Sequence, residues 1–382
     1  MERIQSINQT RVRWSCDDRG ITPAKLAEEA GISEASLDRM LAGEEGLTFP
    51  QLQRIAKFFN RGVLFFLEPG PVNEEHLHTS QFRTITNQVP DLDAKTKALI
   101  ERVERQRAIF LSLREDLGDA DQNRFAAPVL PTNDPKQAAK NARGWLGVGA
   151  ENSFETYRKA VEDRGILVFR TNGYNGAWQI EKGSPIIGFS LFDPLCPAIV
   201  VKKQTYESRQ TFTLMHELAH ILLHQNSFID QEDDLSSRQG NEQQANAFAG
   251  YLLVPDTFLT EIDDRQRPSN ASEYDEWLKP FRRAWGVSTE VVLRRLLEEN
   301  RLSSSAYGAY REWVSQVSIT DTGGGTRQYR YREPKHIFGE PFVRTVLDAL
   351  SARQITLAKA STYLDNLKIK DVHQLERYIA GL

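Results

Sequence analysis

Residues 213–224 read TLMHELAHILLH, with His216, Glu217 and His220 in the spacing H-E-x-x-H. The pattern from 205 to 223 is helical. Positions i and i+4 of a helix share one face a turn apart, so two imidazoles there can grip one metal ion. Glu217 follows the first histidine and reaches a water at the ion without ligating it. Zinc brings such a water toward neutral pKa and polarises a carbonyl oxygen, while a neighbouring carboxylate takes the proton. That is the chemistry of peptide-bond hydrolysis. The competing reading is a buried helix with two hydrogen-bonded histidines. The flanking Leu214, Met215, Leu218, Ala219, Ile221, Leu222 and Leu223 weigh against it. Three ionisable groups in such a helix are costly unless an ion or charge partner compensates.

A catalytic zinc takes three protein ligands and leaves one position open. His224 lies two turns from His216 and reads better as a helix-end histidine favoured by the dipole. Glu242, in NEQQANAFAGYLLVP (241–255), stands on the next helical pattern, with room for a loop and an antiparallel return. Its other reading is a first-turn acid that complements the helix dipole. Asn246, one turn on, is placed to hydrogen-bond the far nitrogen of a ligand histidine and fix its tautomer. A His2Glu set favours Zn2+, and Mn2+ or Fe2+ can occupy the same ligands.

Upstream, GILVFR (165–170), PIIGFSLF (185–192) and AIVVK (198–202) are short, β-branched runs beside Gly or Pro, and read as strands. An extended peptide is expected against an edge strand supplied by 186–192 or 198–202. For oxyanion stabilisation the only candidates are Tyr251 and an arginine from 294–295. Cys196, in DPLCPAI, reads as a turn or core residue.

Residues 21–67 alternate short apolar-periodic segments with Gly and Pro stops: Thr22 and Ser33 as caps, Gly31 as a tight turn, Pro50 opening a third helix. This is helix-turn-helix grammar. Ser33, Ser36 and Arg39 are the base- or phosphate-facing candidates of SEASLDRML (33–41), but Glu34 and Asp38 lie among them. Acidic residues there weaken the charge term that dominates DNA affinity. DNA binding and protein docking therefore both stay open for this module, as does a homodimer.

The 382 residues carry 48 Lys+Arg against 52 Asp+Glu, a net charge of −4, which excludes a protein that coats nucleic acid through bulk charge. Two cysteines exclude a disulfide framework. No apolar run marks a signal peptide or a membrane span, so a cytoplasmic protein without membrane contact is expected. The tail stretch TRQYRYREPK (326–335) interleaves cations with tyrosines and reads as an exposed strand with alternating faces. The Gly triplet 323–325 lacks a following GK[ST] and is no phosphate loop.

HELAHILLH followed by E-x-x-A-N-x-F-A and L-L-x-P resembles the ImmA/IrrE family of intracellular zinc metallopeptidases, a gluzincin-like group, over about residues 150–300. The resemblance implies zinc ligands His216, His220 and Glu242, with Glu217 as base. It also implies cleavage of a protein substrate, a helix-turn-helix repressor, in stress response or mobile-element control. Many members carry a fused XRE-like helix-turn-helix, as 21–67 suggests. Lys202 departs from the Asn that often ends the preceding strand. The expected fold class is α+β: an all-α helix-turn-helix domain (1–67), a helical linker (68–134), a zincin-like (gluzincin-type) metallopeptidase domain with a small β-sheet (135–318), and a helical C-terminal extension (319–382). The alternative function is a DNA-binding regulator or an antitoxin-like partner-binding protein, with the peptidase fold as sensor or scaffold.

Overall fold

Capped short helices build the first of the two units into which the chain divides, Met1–Arg102; the second is Val103–Leu382. The computed structural model describes residues 3–59, 61–72, 80–89, 92–121, 124–150, 153–172, 176–237, 239–316 and 327–381.

In the first unit the Thr22 hydroxyl accepts from the Lys25 amide and starts the helix Pro23–Ala30. Gly31 ends it in the left-handed region, at φ 59°. Ser33 accepts from the Ser36 amide and starts Glu34–Leu41. Thr48 and Gln51 form a capping box that opens Phe49–Phe58. Leu26, Leu37, Met40, Leu52 and Ile55 close one core, joined by Val12 and Cys16 of a further helix, Gln9–Arg19. The sequence reading does not contain that helix. Its mixed polar pattern hides the stripe that packs inward. Strand β1 (Arg3–Ile4) pairs antiparallel with β2 (Leu47–Thr48).

In the second unit, helices Pro135–Leu146 and Phe154–Glu162 precede a four-stranded sheet. Its strands are β3 (Leu167–Arg170), β4 (Ile186–Leu191), β5 (Ala198–Val201) and β6 (Phe228–Gln231), in the order β3-β5-β4-β6. β3 runs parallel to β5, and β4 is antiparallel to both β5 and β6. The expectation that 186–192 or 198–202 supplies the edge is corrected: β4 and β5 are interior, and the margins are β3 and β6. Full burial of every β4 and β5 residue agrees with that placement. Helices Glu207–Ala219 and Gly240–Leu253 pack on each other beside the sheet.

The tail is helical: Glu333–Ser351, kinked at Gly339 (φ 81°), then Leu357–Tyr363 and Ile369–Ala380. Arg158 ties it to the sheet by donating to the carbonyls of Val168 (2.6 Å), His336 (2.8 Å) and Ile337 (3.3 Å). The stretch read as an exposed strand is instead a 3-10 turn, Arg327–Arg332. Arg332 stacks there over Tyr329, Tyr331 and Tyr378. The Gly triplet lies outside the described residues. No helix among them is long and apolar enough to cross a membrane.

Candidate metal centre

The helix Glu207–Ala219 is buried continuously from Gln210 onward. It runs into a π-helical turn, His220–His224, which ends where Gln225 takes a left-handed conformation at φ 47°. π-turns inside helices recur at functional sites. His216, Glu217 and His220 are all 0% exposed. Helical spacing brings His216 Nε2 and His220 Nε2 to 3.1 Å. Glu242, in the first turn of Gly240–Leu253, places Oε2 at 3.1 Å from His216 Nε2 and 3.6 Å from His220 Nε2. The structure thus brings together the three residues that the H-E-x-x-H spacing and the next helix suggest.

A fourth group joins them. Asp230 of β6 places Oδ2 at 3.2 Å from His216 Nε2 and 3.4 Å from His220 Nε2. The sequence reading missed it. Asp230 stands in IDQEDD, one of several acids in a short polar stretch, and nothing in that string singles it out. Only the pairing of β6 with β4, a long-range event, turns it inward.

The charges respond to this crowding. Burial works against a charged His216 ring, but the carboxylates of Asp230 and Glu242 outweigh it and push the ring up to about 9. Burial, followed by the neighbouring charge of Asp230, pushes Glu217 well above the usual carboxylate range. Burial opposes ionisation of Asp230 too, yet the His216 and His220 rings hold it below its ordinary value. Glu217 Oε1, Glu217 Oε2 and Asp230 Oδ2 are buried with no hydrogen bond of good geometry.

The groups that orient the site differ from those expected. Asn246 does not bond a histidine; its amide donates to the Asp234 carbonyl at 2.8 Å and so ties down the turn after β6. The far nitrogen of His220, Nδ1, instead meets His224 Nδ1 at 2.9 Å, and His224 Nε2 meets Gln244 Oε1 at 3.2 Å. Burial, then the His220 ring, pushes His224 down to about 4, so it is neutral. One proton order satisfies all these contacts. His224 Nε2–H donates to Gln244, His220 Nδ1–H donates to His224 Nδ1, and the lone pair of His220 Nε2 faces the other donors. His224 is therefore an orienting partner, not the dipole-favoured cation that the helix end suggests. Phe228 stacks on the His220 ring at 4.0 Å.

Gly188 of β4 is a second position that sequence alone did not reveal. A Cβ there would meet Glu217 Oε1 at 2.7 Å, Thr213 Cγ2 at 2.8 Å and the Val200 carbonyl at 2.9 Å. Tyr251 and Arg295 are engaged elsewhere. Arg295 lies 3.9 Å over the Tyr251 ring and pairs with Asp256, Glu298 and Glu299. Arg294 donates to the Leu235 carbonyl at 2.9 Å. Lys202 donates to the Ser184 carbonyl at 2.7 Å, a structural tie. Burial pushes the Cys196 thiol up to about 12, which agrees with a core residue.

Residues 161–297 match the family model of the IrrE N-terminal-like domain, and residues 13–61 match that of the Cro/C1-type helix-turn-helix DNA-binding domain. The two matches lie in the order that the resemblance to fused helix-turn-helix and ImmA/IrrE proteins implies. No curated protein and no solved structure matches the chain.

An IrrE-type metallopeptidase domain implies a metal, and the donors present fit one. Four potential ligand atoms from His216, His220, Asp230 and Glu242 lie within 4.8 Å of one another. The two imidazoles and Asp230 are buried and Glu242 is half-buried, and without a cation Asp230 Oδ2 is left among them with no hydrogen bond of good geometry, which is costly. In the helix-turn-helix unit, Ser33 and Ser36 hydrogen-bond each other at 2.8 Å and Arg39 pairs with Glu45 at 3.2 Å. Their polar groups are thus engaged within the unit. An open groove elsewhere in the unit is lined by Arg3, Gln51, Arg54, Lys57 and Arg61, and not by Ser33, Ser36 or Arg39.

Proposed function

We propose that the chain is a zinc-dependent endopeptidase whose substrate is a protein, a helix-turn-helix repressor being the class that the fused module favours. His216, His220 and Glu242 hold the ion in this reading, and Glu217 is the proton carrier. The observation that carries it is the convergence of two buried imidazole Nε2 atoms, 3.1 Å apart, with the Glu242 carboxylate, inside an IrrE-type domain.

A bound divalent ion supplies Lewis acidity toward a carbonyl oxygen and makes a nearby water acidic. The residues of the chain do the rest. His224 and Gln244 hold His220 in the tautomer whose Nε2 lone pair faces inward. The Glu217 carboxylate takes the proton of the attacking water, and the same oxygen returns it to the departing amide nitrogen. The buried walls exclude competing water.

The helix-turn-helix supports a role at DNA or at a repressor with the same fold. The test is incubation of the purified protein with helix-turn-helix proteins encoded nearby, with and without a chelator, comparing wild type with Glu217→Gln. Cleavage that needs both metal and Glu217 supports the reading. Cleavage that survives in Glu217→Gln, or wild-type protein that takes up no zinc, defeats it.

A further inference from the structure

We propose that Asp230 is a fourth donor that closes the metal centre, so that the resting chain is a latent peptidase with no corner left for water. The proposal rests on the metal reading above and specifies how that site is regulated.

The donor geometry carries it. Five of the six separations among His216 Nε2, His220 Nε2, Asp230 Oδ2 and Glu242 Oε2 are 3.1, 3.2, 3.1, 3.4 and 3.6 Å. Donors about 2.0–2.1 Å from one tetrahedral ion stand about 3.3–3.4 Å apart. The set therefore has the spacing of a centre with four protein ligands. A catalytic centre keeps three and an open position. Here the would-be open position holds a carboxylate oxygen.

Asp230 is aimed, not merely near. Its side chain is 2% exposed and its Oδ2 takes no hydrogen bond of good geometry, although both rings are within ion-pair distance. An acid buried without donors is expensive, and a cation between these groups removes the cost. Strand geometry fixes the aim. Phe228 and Asp230 are two residues apart on β6 and face the same side, and Phe228 stacks on the His220 ring.

The position of β6 says how such a centre opens. β6 is a margin of the sheet, paired on one side only among the described strands. An extended peptide binds a sheet by adding to such a margin. Substrate pairing and release of the carboxylate thus act on one four-residue strand.

The experiment compares wild type, Asp230→Ala and the closer Asp230→Asn, each loaded with Zn2+ or with Co2+. Zinc affinity is read by competition with a chelator. The visible Co2+ spectrum is read before and after addition of acetohydroxamate, which binds an ion that has a free position. The wild-type spectrum should resist the hydroxamate and both variants should respond. Outer partners of a ligand alone are worth about 10–100-fold in affinity, so Asp230→Ala should lose about tenfold or more for zinc. A wild-type centre that takes the hydroxamate as readily as the variants overturns the proposal, as does zinc affinity unchanged in both. Failure of the metal reading itself looks different: wild type takes up no zinc, or His216→Ala binds as much as wild type.

Discussion

Glu217 occupies space that Gly188 leaves vacant: a Cβ on Gly188 would stand 2.7 Å from Glu217 Oε1. The closest real contacts of a Cβ are longer, so an added methyl must displace the carboxylate, the Thr213 side chain or the strand. Gly188→Ala should therefore behave as a positioning defect. We expect zinc content near that of wild type and cleavage reduced about a hundredfold, the scale of a misplacement of about 1 Å. Metal analysis and cleavage rate, measured on the same preparation, check this. Full activity in Gly188→Ala would mean that the seat of Glu217 is more accommodating than the backbone indicates.

His224 sets the tautomer of His220 through the 2.9 Å contact between their Nδ1 atoms. Removing that acceptor in His224→Ala should weaken zinc binding about 10–100-fold, as loss of a ligand's outer partner does. His224→Gln, which offers an acceptor oxygen, should recover part of the loss. Chelator competition measures both. Equal affinities for all three proteins would show that the ring is held by Phe228 packing alone.

Asp230 and Gly188 mark where sequence reading stops. His216, Glu217 and His220 were legible because helical periodicity is local: a five-residue spacing already puts two rings on one face. Glu242 was legible because it opens the next helix after a loop of suitable length. Asp230 and Gly188 were not, because their roles arise from β4 pairing with β6 and from the helix lying on that sheet. No local pattern encodes such contacts. The same limit explains the misplaced edge, since strand order is a property of pairing and not of any one strand. Asn246 was assigned a partner from its position one turn past Glu242, but the Asp234 carbonyl competes for the same amide and wins. The three helices of 23–58 are legible because the caps Thr22 and Ser33 and the opening Pro50 are local signals, although the capping box of Thr48 and Gln51 shows only in the structure.

In the helix-turn-helix unit the exposed cations of helix Phe49–Phe58 border a groove, whereas Arg39 is paired with Glu45. If DNA binds here, phosphates should meet Arg54 and Lys57. Arg54→Glu with Lys57→Glu should weaken binding to promoter DNA and flatten its salt dependence by about one unit of log–log slope per lost contact. Gel-shift titrations at several salt concentrations read this out. An unchanged slope with unchanged affinity would move the interface off this groove and favour protein docking.

The joint between sheet and tail carries a buried Glu162 and a half-buried His336 with opposing pH effects. Burial, reinforced by Arg170, Arg158 and Lys203, pushes His336 from 6.5 down to about 3. Between those values the unfolded chain binds a proton that the folded chain refuses, so this group costs stability as pH falls. Burial pushes Glu162 up from 4.5 to about 7, against the pull of Arg158. Between those values the folded chain holds a proton that the unfolded chain releases, so this group costs stability as pH rises. From pH 4.5 to 6.5 the two offset each other. Glu162→Gln leaves His336 unopposed, and its melting temperature should drop on acidification more steeply than that of wild type. His336→Gln leaves Glu162 unopposed, and its melting temperature should drop as pH rises from 4.5 to 7. Each slope is bounded by about 1.4 kcal/mol per pH unit, the value of one proton. Melting curves at half-unit pH steps decide the matter. Parallel profiles for all three proteins would show that neither group keeps its shifted affinity in the folded tail.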